Sequence, residues 1–224
     1  AVVIATGSHI GGIVGLANKT TAGVTKLDHV YNDASITGRR VVAGIVGNAE
    51  NGTQISYAYN TGDITATADY AAGIASYLNN GLIHNAYNAA TIRGGSIVGG
   101  IVGNLAGISA VTNSYYDASI IDADTRTVGV KPVQAINNAL DKEDVKGIGK
   151  AYLTGETQLS FDRNQWIYIA NDGVNAYYPQ LKVFAEGKYP SIKEDSYESV
   201  KSYIFAGLGT DASPYIIVNE FDMV

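Results

Sequence analysis

"AYNTGDIT", residues 58–65, returns as "AYNAATIR" at 86–93 and more loosely as "VYNDASIT" at 30–37 and "SYYDASII" at 114–121. The tyrosines of these octets, Tyr31, Tyr59, Tyr87 and Tyr115, follow one another at intervals of 28, 28 and 28 residues. A locked interval over four copies marks a structural unit, because each copy then holds the same place in its own turn of chain. A branched apolar residue (Leu27, Ile55, Ile83, Val111) stands four positions before each tyrosine, and Ile36, Ile64, Ile92 and Ile120 stand five after. Upstream lie "GIVG" at 12–15 and 44–47, "GIAS" at 73–76 and "GIVG" at 100–103, supplying Gly12, Ile13, Gly44, Ile45, Gly73, Ile74, Gly100 and Ile101. Length varies in the loops between this tetrapeptide and the apolar position, where a turn absorbs the slack.

Each unit reads as three short β segments joined by Gly/Asn turns such as Asn51-Gly52 and Asn80-Gly81. The 26 glycines exclude a helical repeat, since each would cost a helix roughly 1 kcal/mol. A leucine-rich repeat needs several leucines per unit, which residues 1–128 lack. The expected fold is therefore mainly β: a parallel β-helix, or β-solenoid, of about four coils of 28 residues. Alternation along a strand places Ile55, Tyr57 and Tyr59 on one inward face and stacks the four tyrosines from coil to coil, unless a bulge intervenes. Asn32, Asn60 and Asn88 follow the tyrosines and are expected to form an amide ladder at a turn. The series ends at Tyr116, which marks the last regular coil.

Bulk composition narrows the function classes. Charged residues are only 16%, the net charge is −6, and no basic run exceeds Arg39-Arg40, so the electrostatic footprint of nucleic-acid binding is missing. Without cysteine there is no disulfide, thiol chemistry or Cys-based zinc site. No stretch approaches the 18 unbroken apolar residues of a membrane helix. The opening "AVVIATGSHIGGIVG" reads as the middle of a repeating pattern, so a fragment or mature segment of a longer chain is expected.

The unit "G-I-V-G … I-x-x-A-Y-N-x-G-x-I" resembles the GLUG-motif repeat of bacterial surface and secreted proteins. The second copy matches best, at Gly44, Ile45, Val46, Gly47, Ile55, Tyr59, Asn60, Gly62 and Ile64. Departures are Ala58 and Ala86 where the family often has Cys, Ala34, Ala90 and Ala118 where it often has Gly, and Ser76 in the third tetrapeptide. The resemblance covers roughly residues 10–121. Beyond it, Trp166 with "NAYYPQL" at 175–181 is similar to the segment that closes such arrays, and "GTDASPYI" at 209–216 to the segment that opens a new one. The resemblance implies a non-enzymatic adhesin-like module, extracellular at the cell surface or cell wall, with a host glycan or matrix protein as partner. It implies no catalytic residue and no cofactor.

The period stops near residue 128, and all four prolines (Pro132, Pro179, Pro190, Pro214) lie beyond it. Residues 129–184 are expected to cap the solenoid as a small α+β or β region, with a hairpin turn at Asn171-Asp172-Gly173. Residues 185–224 read as a linker and the start of a following module.

Motifs that carry chemistry are weak. "GLGTDA" at 207–212 has the glycine spacing of a dinucleotide site but runs into Pro214 and "YIIV" rather than a helix. His9, His29 and His84 occupy no equivalent repeat positions, so a histidine metal site is not expected. Asp117, Asp122 and Asp124 form an acidic turn that could hold calcium but lacks the glycine and later glutamate of an EF-hand. Asp33 and Asp63, with Arg39 and Arg93 nearby, are the carboxylates a β-helical polysaccharide lyase or hydrolase would use, the competing reading alongside an accessory part of a surface peptidase. Asn18-Lys19-Thr20 and Asn51-Gly52-Thr53 match the N-glycosylation pattern but read as turns. Tyr57, Tyr70 and Tyr77 read as exposed tyrosines for glycan or protein binding, with structural filling as an equal alternative.

Overall fold

The computed structural model describes residues 1–19, 23–94, 96–117, 131–133, 136–137, 144–156, 159–172, 174–185 and 194–196. Ile120, Asp122, Asp124, the 207–212 segment and most of the stretch 185–224 lie outside them. The first coil contains β1 (Val2–Ile4), β2 (His9–Gly11), β3 (Val14–Ala17) and β4 (Lys26–Asn32). The second contains β5 (Ser35–Gly38), β6 (Val41–Ala43), β7 (Val46–Glu50) and β8 (Gln54–Asn60). The third contains β9 (Ile64–Ala66), β10 (Tyr70–Ala72), β11 (Ala75–Asn79) and β12 (Leu82–Asn88). In the fourth, β13 (Ile92–Arg93) leads into one long strand, β14 (Ile97–Ala106), and then β15 (Ala110–Asp117).

Successive coils stack in parallel into three sheets, ordered β1-β5-β9-β13, β2-β6-β10-β14-β11-β7-β3, and a third running β15-β12-β8-β4. The chain is a β-solenoid of about four turns. In the first three coils each turn has four strand segments rather than the expected three. The Gly-Ile of the tetrapeptide forms a corner with a strand on either side, and the corner itself keeps pairing: Ile45 N–H donates to Ile74 O at 3.3 Å and Ile74 N–H to Ile101 O at 3.0 Å.

The register follows the repeat. Leu27, Ile55, Ile83 and Val111 align, as do Tyr31, Tyr59, Tyr87 and Tyr115. Ile36, Ile64 and Ile92 align in the first sheet and pack with Ile10, Val42, Ala71 and Val98 in one buried cluster. Ile45, Ile74 and Ile101 are fully buried, whereas Ile13, their counterpart in the first coil, is 47% exposed. Each fully buried isoleucine contributes roughly 1.5–3 kcal/mol relative to exposure.

Parallel pairing runs past the last repeat. β16 (Lys131–Val133) and β17 (Ile136–Asn137) pair with β14, and β18 (Val145–Ile148) extends the third sheet beside β15. The chain divides into two compact units, 1–116 with 120–146, and 117–119 with 147–224. Among its described residues the second holds two short helices, α1 (Lys150–Leu153) and α2 (Lys182–Ala185), and the strands β19 (Trp166–Ile167), β20 (Asn175–Tyr177), β21 (Gln180–Leu181) and β22 (Glu194–Ser196). β19 pairs antiparallel with β21, and β20 with β22. Trp166, 1% exposed, stacks on Phe161 with ring centroids 4.6 Å apart.

Gly173 of the expected hairpin turn at Asn171-Asp172-Gly173 lies outside the described residues; the antiparallel pair β19 and β21 brackets this turn, and β20, which follows it, pairs with β22. Asp172 closes a tight turn on itself. Its carboxylate accepts from Asn175 N–H at 2.6 Å, from the Tyr177 hydroxyl at 2.7 Å and from Val174 N–H at 2.8 Å. These bonds hold its pKa down at about 2, the Asn175 backbone bond contributing most.

Candidate functional site

The repeated residues are spent on packing at one corner of each coil. Asn32 Nδ2 donates to Asn60 Oδ1 at 2.8 Å, and Asn60 Nδ2 donates to Asn88 Oδ1 at 2.7 Å. The second hydrogen of each amide turns back to its own chain, reaching Ala34 O at 2.8 Å, Gly62 O at 2.9 Å and Ala90 O at 2.9 Å. A buried amide column of this kind carries its own hydrogen bonds, so burial of the side chains is not penalised. It also explains the glycine that opens each tetrapeptide. A Cβ on Gly44 would lie 2.4 Å from Asn60 Cγ, and one on Gly73 2.5 Å from Asn88 Cγ. In the fourth coil Tyr116 takes the asparagine position, its ring lies over Gly100, and the ladder ends. Burial pushes the Tyr116 hydroxyl up to about 12.

The tyrosine column stacks beside the ladder. Tyr31 and Tyr59 have centroids 5.0 Å apart at 11° between ring planes, and Tyr59 and Tyr87 5.2 Å apart at 3°. Tyr59 is 5% exposed and Tyr87 fully buried. Burial raises the Tyr59 hydroxyl pKa well above 10, with smaller contributions from Tyr31 and Asp33.

The expectation that Ile55, Tyr57 and Tyr59 share one inward face is corrected by the backbone. Tyr57 has φ +52°, and the coil-to-coil register steps over it between Ser56 and Ala58. The same step recurs one coil apart at His29 (φ +53°), Asn85 (φ +55°) and Asn113 (φ +44°). A left-handed residue bends the strand and resets its alternation, so Ile55 and Ala58 are fully buried while Tyr57 is only half-buried. Left-handed geometry costs a residue with a Cβ roughly 1–2 kcal/mol, least for Asn. Asn85 and Asn113 are therefore the residues the backbone favours, and their recurrence 28 apart is the one signal in the sequence that could have located the column.

His29 and Tyr57, at the same backbone position, form stacked rings 4.7 Å apart, and His84 meets Tyr57 edge-on at 6.4 Å. His29 Nδ1 lies 2.9 Å from an Asp28 carboxylate oxygen, and His84 Nδ1 lies 2.7 Å from Thr112 Oγ1. Two of the three histidines thus come together around one tyrosine, while His9 lies exposed on β2. At the start of the same strands, a groove of about 340 Å³ is lined by the turns Gly52-Thr53, Asn80-Gly81 and Ile108-Ser109 and by Gln54, Leu82 and Ala110.

Asp63 Oδ1 accepts from Thr91 N–H at 3.2 Å, a structural use, and Asp33 and Arg39 are exposed. Arg93 is exposed at the end of β13, and Arg40, not Arg39, pairs with Asp69. Asp117 is 2% exposed. Tyr70 and Tyr77 are half-buried on β10 and β11. Asn18 Nδ2 donates to Glu50 at 3.1 Å and Asn18 Oδ1 accepts from Asn51 at 3.0 Å, which ties both sequon asparagines together as neighbouring turns. Among the described residues no group of three or more His, Asp or Glu comes together as a metal site, and no helix is long and apolar enough to cross a membrane. Comparison with protein-family models, with curated proteins and with solved structures found no match.

Proposed function

We propose that this chain is a non-enzymatic repeat module of a large bacterial surface or secreted protein, which presents a glycan- or protein-binding face or spaces one from the cell. One observation carries the reading. The residues that repeat every 28 positions are used for stacking, and the residues free to meet a ligand are those that do not repeat, on the outer strand face and the turns. A parallel solenoid built this way is a rigid, quasi-one-dimensional support whose outer positions vary without cost to its core. The GLUG resemblance of residues 10–121 supports the cell-surface setting and adhesion as the role. Asp63 weighs against the polysaccharide-cleaving alternative, because its carboxylate accepts from the Thr91 backbone N–H, a structural use.

The test is binding and turnover measured side by side on residues 1–224. Saturable binding to a glycan panel or to matrix proteins, with no new reducing ends from any polysaccharide, is the expected result. Release of reducing ends, abolished by Asp33→Asn or Asp63→Asn, overturns it in favour of the enzyme.

A further inference from the structure

We infer that the outer face of the third sheet, from the groove at Gln54 and Leu82 to the ring ledge of His29, Tyr57 and His84, is a binding site for a neutral saccharide. The inference rests on the glycan branch of the reading above and gives it a place and a ligand class.

Three observations converge on this face. The first is residue choice against backbone preference. At the left-handed position coils one, three and four carry His29, Asn85 and Asn113, residue types enriched in that geometry, whereas coil two carries a phenol, Tyr57. A bulky ring held in a sparsely populated backbone region points to a use for the ring itself. The second is its presentation. His29 and Tyr57 stack at 4.7 Å to form a ledge, and Tyr57 stays half-buried rather than entering the core.

The third is continuity with a concavity. Gln54, Leu82 and Ala110 stand opposite one another across the strands, and two residues on, on the same face, stand Ser56, His84 and Thr112. The groove lined by the first row therefore adjoins the second row on the same face. Its volume of about 340 Å³ falls at the lower end of the range for small-ligand sites.

The chemistry selects a sugar. The half-buried rings of His29 and Tyr57 offer apolar contact to the C–H side of a pyranose ring, while Gln54, His84 and the exposed Asp28 carboxylate offer donors and acceptors for ring hydroxyls. The ledge carries one carboxylate beside one exposed lysine, Lys26, and the chain has a net charge of −6, so a polyanionic glycan is disfavoured.

The test is a titration of ¹⁵N-labelled residues 1–224 with cellotetraose, maltotetraose and mannotetraose, with hyaluronan tetrasaccharide as the acidic comparison. Saturable amide shifts at residues 54–58 and 82–86 with a neutral sugar are expected. Tyr57→Asn keeps the left-handed backbone, so it is expected to retain the melting temperature and weaken binding at least about tenfold, whereas Tyr57→Phe retains it. His84→Ala, which leaves the backbone bend untouched, is expected to weaken binding as well. Unchanged affinity in Tyr57→Asn, or shifts confined to other loops, overturns this site and leaves the glycan-binding module standing. Binding of hyaluronan alone, or of a matrix protein alone, overturns the neutral-sugar inference but not the surface-module reading. Polysaccharide turnover overturns both.

Discussion

Tyr59 shows how much a single repeated residue carries. It is 5% exposed, stacked on Tyr31 and Tyr87, and its hydroxyl titrates above the ordinary range because burial penalises the phenolate. Tyr59→Ala is expected to lower stability by about 3 kcal/mol or more, read by urea denaturation, as large aromatic-to-alanine changes in cores do. An unchanged midpoint would place the ring outside the packed region. The same burial fixes the pH response. Tyr59 and Tyr116 have folded pKa values above the unfolded value near 10, Tyr116 reaching about 12. Their contribution to stability is complete below pH 10, where both states are protonated. It is lost as pH rises from 10 toward 12, where the unfolded chain has already released its protons. The melting temperature is accordingly expected to hold steady to about pH 9 with respect to these tyrosines and to fall above 10. In Tyr59→Phe the alkaline fall should be shallower.

The element that decides the packing is the corner where glycine meets asparagine. Gly44 lies against the Asn60 amide and Gly73 against Asn88, so the two motifs of the repeat, the tetrapeptide and the Tyr-Asn pair, are halves of one contact. Gly44→Ala is expected to destabilise the protein by at least about 1 kcal/mol, since its Cβ would also sit 2.3 Å from the Gly73 carbonyl oxygen and neither neighbour can yield. Gly7→Ala, where nothing lies within 4 Å, should fall within about 0.5 kcal/mol of the parent. Equal midpoints for the two variants would show that the corner relaxes. The sequence displayed both motifs and their period but not their contact, because the 15 residues between Gly44 and Asn60, and the 14 between Gly73 and Asn88, include loops whose path the pattern does not reveal.

For the solenoid as a whole, stability is a sum of coils and the interfaces between them. Ile45, Ile74 and Ile101 are fully buried between neighbours, while Val2, Ile4, Ile13 and Leu16 in the first coil are between 47% and 77% exposed. Amide hydrogen exchange is expected to be slowest in β7, β8, β11 and β12, and fastest in β1 and β3, with protection rising from the first coil inward. Uniform protection across the coils would mean that the solenoid opens only as one cooperative block.

The sequence by itself determined the solenoid. An interval of 28 cannot be kept through four copies unless equivalent residues stack, and Leu27, Ile55, Ile83 and Val111 together with the tyrosines and asparagines announced which residues those are. It also identified the amide ladder, because an asparagine recurring beside a buried column must find its partners in its own copies. Tertiary structure alone decided the fourth strand segment in each early coil, the strands that prolong the stack past residue 128, and the left-handed column at His29, Tyr57, Asn85 and Asn113. The reason is physical. Stacking repeats chemistry at equal intervals and is therefore legible in one dimension, whereas a left-handed bend is imposed by the closure of the coil and tolerates His, Tyr or Asn. The ledge around Tyr57 was hidden for that reason: its residues do not repeat, and only the bend brings the His29 and Tyr57 rings to the face that carries His84.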